Sequence, residues 1–207
     1  MDPIILIFIL IVLLFSIMIH EIAHGSVAYY LGDPTAKYSG RLTLNPLKHL
    51  DPFGSVLLPL MLFIISAGKG PIFGWAKPVP INPYNFRDQK WGTLKVSIAG
   101  PLSNFLIAII FSLVIRFIPL SLTLLTLFSI IALYNFAWGL FNLIPVPPLD
   151  GYHILSSLLP ERFSGFKMLL RQYSLAFLLL FILFGIRLIF VGAVILYTLI
   201  SGQLFVF

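Results

Sequence analysis

Ser16-Ile17-Met18-Ile19-His20-Glu21-Ile22-Ala23-His24-Gly25 lies inside an apolar run that extends from Ile4 to Leu31. A helix of about 20 such residues crosses the roughly 30 Å hydrocarbon core of a bilayer. Two imidazoles and a carboxylate in that setting are costly unless something accounts for them. Helical residues four apart share a face, so His20 and His24 offer two ring nitrogens to one tetrahedral zinc ion. Glu21 stands one residue round and borders the same point, where a carboxylate serves as the general base of a metal-assisted hydrolysis. One stretch thus predicts both a membrane helix and a reactive centre within it.

The rest of the chain is also composed for lipid. Of 207 residues, 59% are hydrophobic and 10% charged, with a mean hydropathy of +1.05, which excludes an ordinary soluble domain. The net charge of +6 does not signal a nucleic-acid binder, because the basic residues lie mostly between apolar spans. The absence of cysteine excludes disulfides, thiolate metal sites and a cysteine nucleophile. Met1-Asp2-Pro3 carries no Lys or Arg, and the first apolar run exceeds a signal-peptide core, so the first segment is expected to be retained.

Predicted full spans are Ile4 to Leu31, Leu94 to Phe117, Leu120 to Ile144 and Ser174 to Ile200. A shorter apolar run, Phe53 to Ala67, contains Pro59 and either crosses or dips and returns. A third ligand decides between these. Asp150, in Pro145-Val-Pro-Pro-Leu-Asp150-Gly151, follows the third full span and is the best candidate. It reaches the end of the first span that carries His24 only if the short run does not cross. The charges agree: without a crossing, 11 of the 13 Lys and Arg residues share one side, the cytoplasmic side by the positive-inside rule. Lys37, Arg41, Lys77, Arg87, Lys90 and Lys95 are among them.

Taken together, His20-Glu21-Ile22-Ala23-His24-Gly25, Leu149-Asp150-Gly151 and Gly100-Pro101-Leu102-Ser103-Asn104 resemble the three signatures of the site-2 protease family of intramembrane zinc metalloproteases. Gly40-Arg41-Leu42-Thr43-Leu44-Asn45-Pro46 and Gly74-Trp75-Ala76-Lys77-Pro78-Val79-Pro80 are similar to stretches of its compact bacterial and archaeal members, without a PDZ or CBS domain. The resemblance implies zinc held by His20, His24 and Asp150, with Glu21 as catalytic base. It also suggests that Asn142 positions substrate or the polarised carbonyl.

A substrate helix must become extended before its carbonyls are accessible, so a strand edge is expected beside the metal. In Phe73 to Asn82, Pro78 and Pro80 alternate with Lys77, Val79 and Ile81, whose N–H groups share one edge suited to pairing with substrate. Asn104 either touches substrate within the site or bridges two helices. His153 and His49 read as surface, loop or interfacial residues, with ligation by His153 the lesser alternative. Arg187, in the middle of the last span, is either functional or accommodated by a break near Gly185.

The expectation is one all-α polytopic membrane domain over residues 1–207, with four full spans, a re-entrant or interfacial segment and a short β element. Its expected function is zinc-dependent cleavage of a single-span membrane protein or a signal-peptide remnant in the bilayer of a prokaryotic cytoplasmic membrane, with the site toward the cytoplasm. The alternatives are a membrane zinc carrier and a non-catalytic helix-binding pseudoprotease. A carrier would need polar ligands along a path across the bilayer, and a pseudoprotease has no need of Glu21.

Overall fold

The computed structural model describes residues 3–65 and 77–204. Helix α1 (Pro3–Tyr30) is followed by α2 (Thr35–Tyr38) and α3 (Leu58–Ile65). Two long helices come next, α4 (Gln89–Phe117) and α5 (Leu122–Asn142). Then follow α6 (Asp150–Leu158), α7 (Ser164–Gln172), α8 (Ser174–Leu180) and α9 (Ile186–Ser201). A π-helical turn, Phe181–Gly185, joins α8 to α9 into one apolar rod, so among the described residues four rods are long enough to cross a bilayer. The protein is an integral membrane protein.

Span limits differ from the expected ones mainly at α4, which begins five residues earlier than Leu94. Asp88 caps it by accepting the Trp91 N–H, so the helix continues through polar Gln89 and Lys90 beyond the apolar run. The short apolar run does not form a full span among the described residues. A π-turn over Pro52–Leu57 leads into α3, and that helix is described only to Ile65. The chain leaves α1 at Tyr30 and begins α4 beside it, since Tyr30 and Leu31 share a cavity with Arg87, Trp91 and Lys95. Residues 31–88 therefore start and finish on one side. At the far side Arg116 donates to the carbonyls of Leu199 and Ile200, tying the end of α9 to the end of α4.

Helix α4 is the centre of the bundle and packs on α1, α5, α6 and α9. Where α4, α5 and α9 meet, Ala108, Ala132, Ala137 and Ala193 allow close approach around Leu133, Phe136 and Tyr197. The Tyr197 hydroxyl pairs with Ser129 at 2.6 Å, which satisfies both groups away from water. Arg187 is exposed just beyond the π-turn that ends at Gly185.

The short β element expected over Phe73 to Asn82 is corrected: among the described residues there is no strand, and 73–76 lie outside them. Residues 77–82 run without regular structure and bond to side chains and loops of the same chain, which leaves no ladder partner.

Candidate metal centre and catalytic site

His20 and His24 lie ten and six residues before the end of α1, which places them about 15 and 9 Å along the helix from Tyr30. Both are buried. His24 Nδ1 lies 2.7 Å from the Val96 carbonyl, which can only accept, so this nitrogen carries the proton. His20 Nδ1 lies 2.7 Å from Asn104 Oδ1. The orientation of that amide is fixed by a relay. Asn104 Nδ2 donates to Ser16 O and to Asn135 Oδ1, and Asn135 Nδ2 donates to Ile131 O. Because the relay ends on backbone carbonyls, His20 Nδ1 must be the donor. In both neutral rings the Nε2 lone pair is therefore left facing inward.

These two nitrogens are 3.0 Å apart, and Asp150 Oδ2 lies 3.0 Å from His20 Nε2 and 3.2 Å from His24 Nε2. Three acceptors converging at that range repel unless positive charge sits among them. Donors about 2.0–2.1 Å from a tetrahedral zinc stand roughly 3.3 Å from each other, close to all three separations. As a ligand Asp150 must be ionised, and a cation held among the three donors would favour that form. Among the described residues these three form the group able to hold a metal ion.

The Gly100-Pro101-Leu102-Ser103-Asn104 stretch explains how α4 comes so close. A Cβ on Gly100 would fall within 2.6 Å of His20 Nε2 and nearer still to His24 Nε2, so any side chain there would occupy the space between the donors. Pro101 has no N–H for the Ser97 carbonyl, one residue on from the Val96 carbonyl that holds His24. Ser103 Oγ donates to Gly100 O at 2.7 Å within the same turn. Asp150 is brought in by the turn after α5. A Cβ on Gly151 would strike the carbonyls of Leu143 and Ile144, so only glycine lets residues 143–151 fold back far enough for Asp150 to open α6 at the metal group.

Glu21, His24 and Asp150 line one cavity of about 360 Å³ with Pro78, Val79 and Ile81. Glu21 Oε2 accepts the Val79 N–H at 2.8 Å, and Lys77 N–H donates to His49 O at 2.9 Å. Arg41, 6% exposed, donates to the Lys77 and Pro78 carbonyls. Asp33 follows Gly32, whose φ of 108° turns the chain out of α1. It is fully buried and accepts from Thr35, the Asn82 N–H and the Asn85 amide. Burial would raise this carboxyl, but the donors from Thr35, Asn82 and Asn85 hold it below the usual range. Gly25 leaves room for Val79, which a Cβ would meet at 2.9 Å.

The predicted residues are placed as follows. His20, His24 and Asp150 converge, and Glu21 shares the cavity. Val79 and Ile81 line that cavity. Of the donors on the predicted edge, the Lys77 and Val79 N–H groups bond His49 O and Glu21. Asn104 has no exposed surface and lies behind His20 rather than on the cavity wall. Asn142 donates to the Trp138 carbonyl one turn back in α5 and is absent from the cavity lining. His153 lines the cavity outside the metal group. His49, expected on a loop surface, is 1% exposed and bonds Thr43 O. Asn135, Arg41 and Asp33 were not singled out as site residues. The signal for Asn135 was a buried amide in an apolar span, which needs a partner.

Comparison with known proteins agrees with this geometry. The profile of peptidase family M50 matches residues 119–186, which include Asp150. The Bacillus subtilis protein named "Putative zinc metalloprotease YwhC" is 42% identical over 185 residues, covering 84% of this chain and 80% of that protein. The Mycobacterium tuberculosis protein named "Putative zinc metalloprotease Rip2" is 33% identical over 172 residues, or 82% of this chain and 64% of Rip2. "Zinc metalloprotease MJ0392" of Methanocaldococcus jannaschii is 35% identical over 91 residues, covering 43% and 27% of the two chains. No solved structure matches. With its HExxH helix, its distant aspartate and a relative aligned over most of both lengths, the chain belongs to peptidase family M50, the site-2 protease family of metalloproteases.

Proposed function

We propose that this protein is a zinc-dependent endopeptidase that cleaves transmembrane segments of single-span proteins or signal-peptide remnants, with its site toward the cytoplasm. The observation that carries this reading is the convergence of His20, His24 and Asp150 within a membrane helix bundle, with Glu21 in the same cavity. Zinc held there by His20, His24 and Asp150 would polarise the scissile carbonyl and lower the pKa of the attacking water. Glu21 takes the proton from that water and delivers it to the leaving amine nitrogen. His20 and His24 keep their Nε2 lone pairs directed at the metal because Asn104 and Val96 hold the opposite nitrogens.

The Val79 bond gives binding and chemistry a common element. An extended substrate that lies against residues 77–82 takes the Val79 N–H from Glu21, and this exchange leaves the carboxylate able to accept a proton. Asn142 lies one α5 turn from Trp138 and contributes through the turn that carries Asp150. The positive-inside rule supports the cytoplasmic side, because the site-side loops carry Lys37, Arg41, Lys77 and Arg87.

The test is incubation of purified protein with a panel of transmembrane peptides, with and without chelator, beside Glu21→Gln. Cleavage by the parent protein, its loss with chelator, and an inactive Glu21→Gln that still binds zinc are expected. Cleavage by Glu21→Gln, or cleavage insensitive to chelator, refutes the reading.

A further inference from the structure

We infer that the cavity between the end of α1 and the start of α4 binds the headgroup of an anionic phospholipid, whose acyl chain lies along the outer face of α4. The cavity holds about 360 Å³ and is lined by Tyr30, Arg87, Asp88, Trp91 and Lys95 among others. It lies where two membrane helices reach the aqueous boundary, the depth of the lipid headgroups. Arg87 and Lys95 bring two cations to it. Among the described residues neither forms an ion pair; the pairs found are His20 and His24 with Asp150, and Lys167 with Glu161. The single carboxylate in the lining, Asp88, is engaged by the Trp91 N–H as the helix cap. Lys90, whose Nζ lies 5.7 Å from the Trp91 ring centroid, adds a third positive charge to the same turn.

The occupant follows from what lies below. Trp91, Lys95, Ile98, Leu102 and Leu106 recur at intervals of three and four and so form one stripe on α4. Ile98, Leu102 and Leu106 are 38%, 51% and 52% exposed. A cationic cavity at headgroup depth that continues into an exposed apolar stripe matches a lipid phosphate with its attached chain, whereas free phosphate would use the cavity alone. The cavity adjoins the metal cavity at Phe86, which lines both, but the metal cavity is lined by Val96 and Ser97 from the inner face of the same helix.

The experiment is native mass spectrometry of the intact detergent-solubilised protein titrated with phosphatidylglycerol or phosphatidylcholine. It compares the parent with Arg87→Gln/Lys95→Gln and with a control pair, Lys48→Gln/Arg162→Gln. At roughly a fivefold effect per basic residue, the first pair should weaken phosphatidylglycerol binding about 25-fold, while the control pair leaves it within twofold. Leu102→Lys, which leaves both cations in place, gives a second reading and should also weaken binding by removing the chain contact. Equal binding of the two lipids by the parent, equal loss in both charge pairs, or displacement of phosphatidylglycerol by millimolar inorganic phosphate would overturn the inference.

Discussion

Replacing Asn104 with leucine tests how the histidine pair is set for metal. The volume is nearly conserved, but three hydrogen bonds go: His20 Nδ1 at 2.7 Å, Ser16 O at 3.2 Å and Asn135 Oδ1 at 3.0 Å. A buried His20 N–H left without its acceptor costs about 1–3 kcal/mol. The ring can avoid that cost by carrying its proton on Nε2, the atom that ligates. Zinc must then restore the tautomer and the ring orientation, so affinity should fall about 10- to 100-fold, or roughly 1.4–2.7 kcal/mol. Asn135→Leu removes one of the two acceptors for the Asn104 amide while Ser16 O remains, so its effect should be the smaller, up to about tenfold. The double variant should bind zinc no more weakly than Asn104→Leu, because the relay is already broken. Chelator competition on the purified variants measures this, with melting curves to confirm folding. Parent-like affinity in Asn104→Leu, or independent multiplication of the two effects, would refute the relay.

Gly100→Ala should lose zinc while remaining folded, because the added methyl falls among the donor nitrogens; metal content measured beside circular dichroism checks this. Asp33→Asn should lower stability by about 1–3 kcal/mol at neutral pH through the lost carboxylate bonds. Since the folded carboxyl titrates below its ordinary 3.8, its contribution is present above that pH and lost as pH falls through the depressed value. The melting temperatures of parent and variant should therefore converge as the pH falls through that depressed value, and a difference unchanged by acid would count against it. Val79→Pro removes the N–H on Glu21 and should abolish cleavage with zinc retained, measured by peptide turnover and metal content.

The sequence made the metal group legible because each member carried its own signal. His20 and His24 share a helical face, and Asp150 reaches them only if the short apolar run does not change sides. The structure agrees, since α1 ends where α4 begins. The spans were legible from composition, apart from the polar first turn of α4, which the Asp88 cap extends. What was hidden was pairing at long range. Nothing local to Asn104 or Asn135 says that one orients His20 through the other. Gly100 gave no sign that its missing side chain makes room for two imidazoles. For residues 77–82 the alternation of prolines showed that the donors share an edge, but it could not show that Glu21 and His49 accept from two of them. Arg41 and Asp33 hold that orientation from loops far away in sequence.

The most direct measurement is the zinc content of the purified protein and of Asp150→Ala, with Glu21→Gln as the internal reference. About one zinc per chain is expected in the parent and in Glu21→Gln, and almost none in Asp150→Ala. Zinc bound by Asp150→Ala with parent affinity would contradict a centre built from two imidazoles and this aspartate.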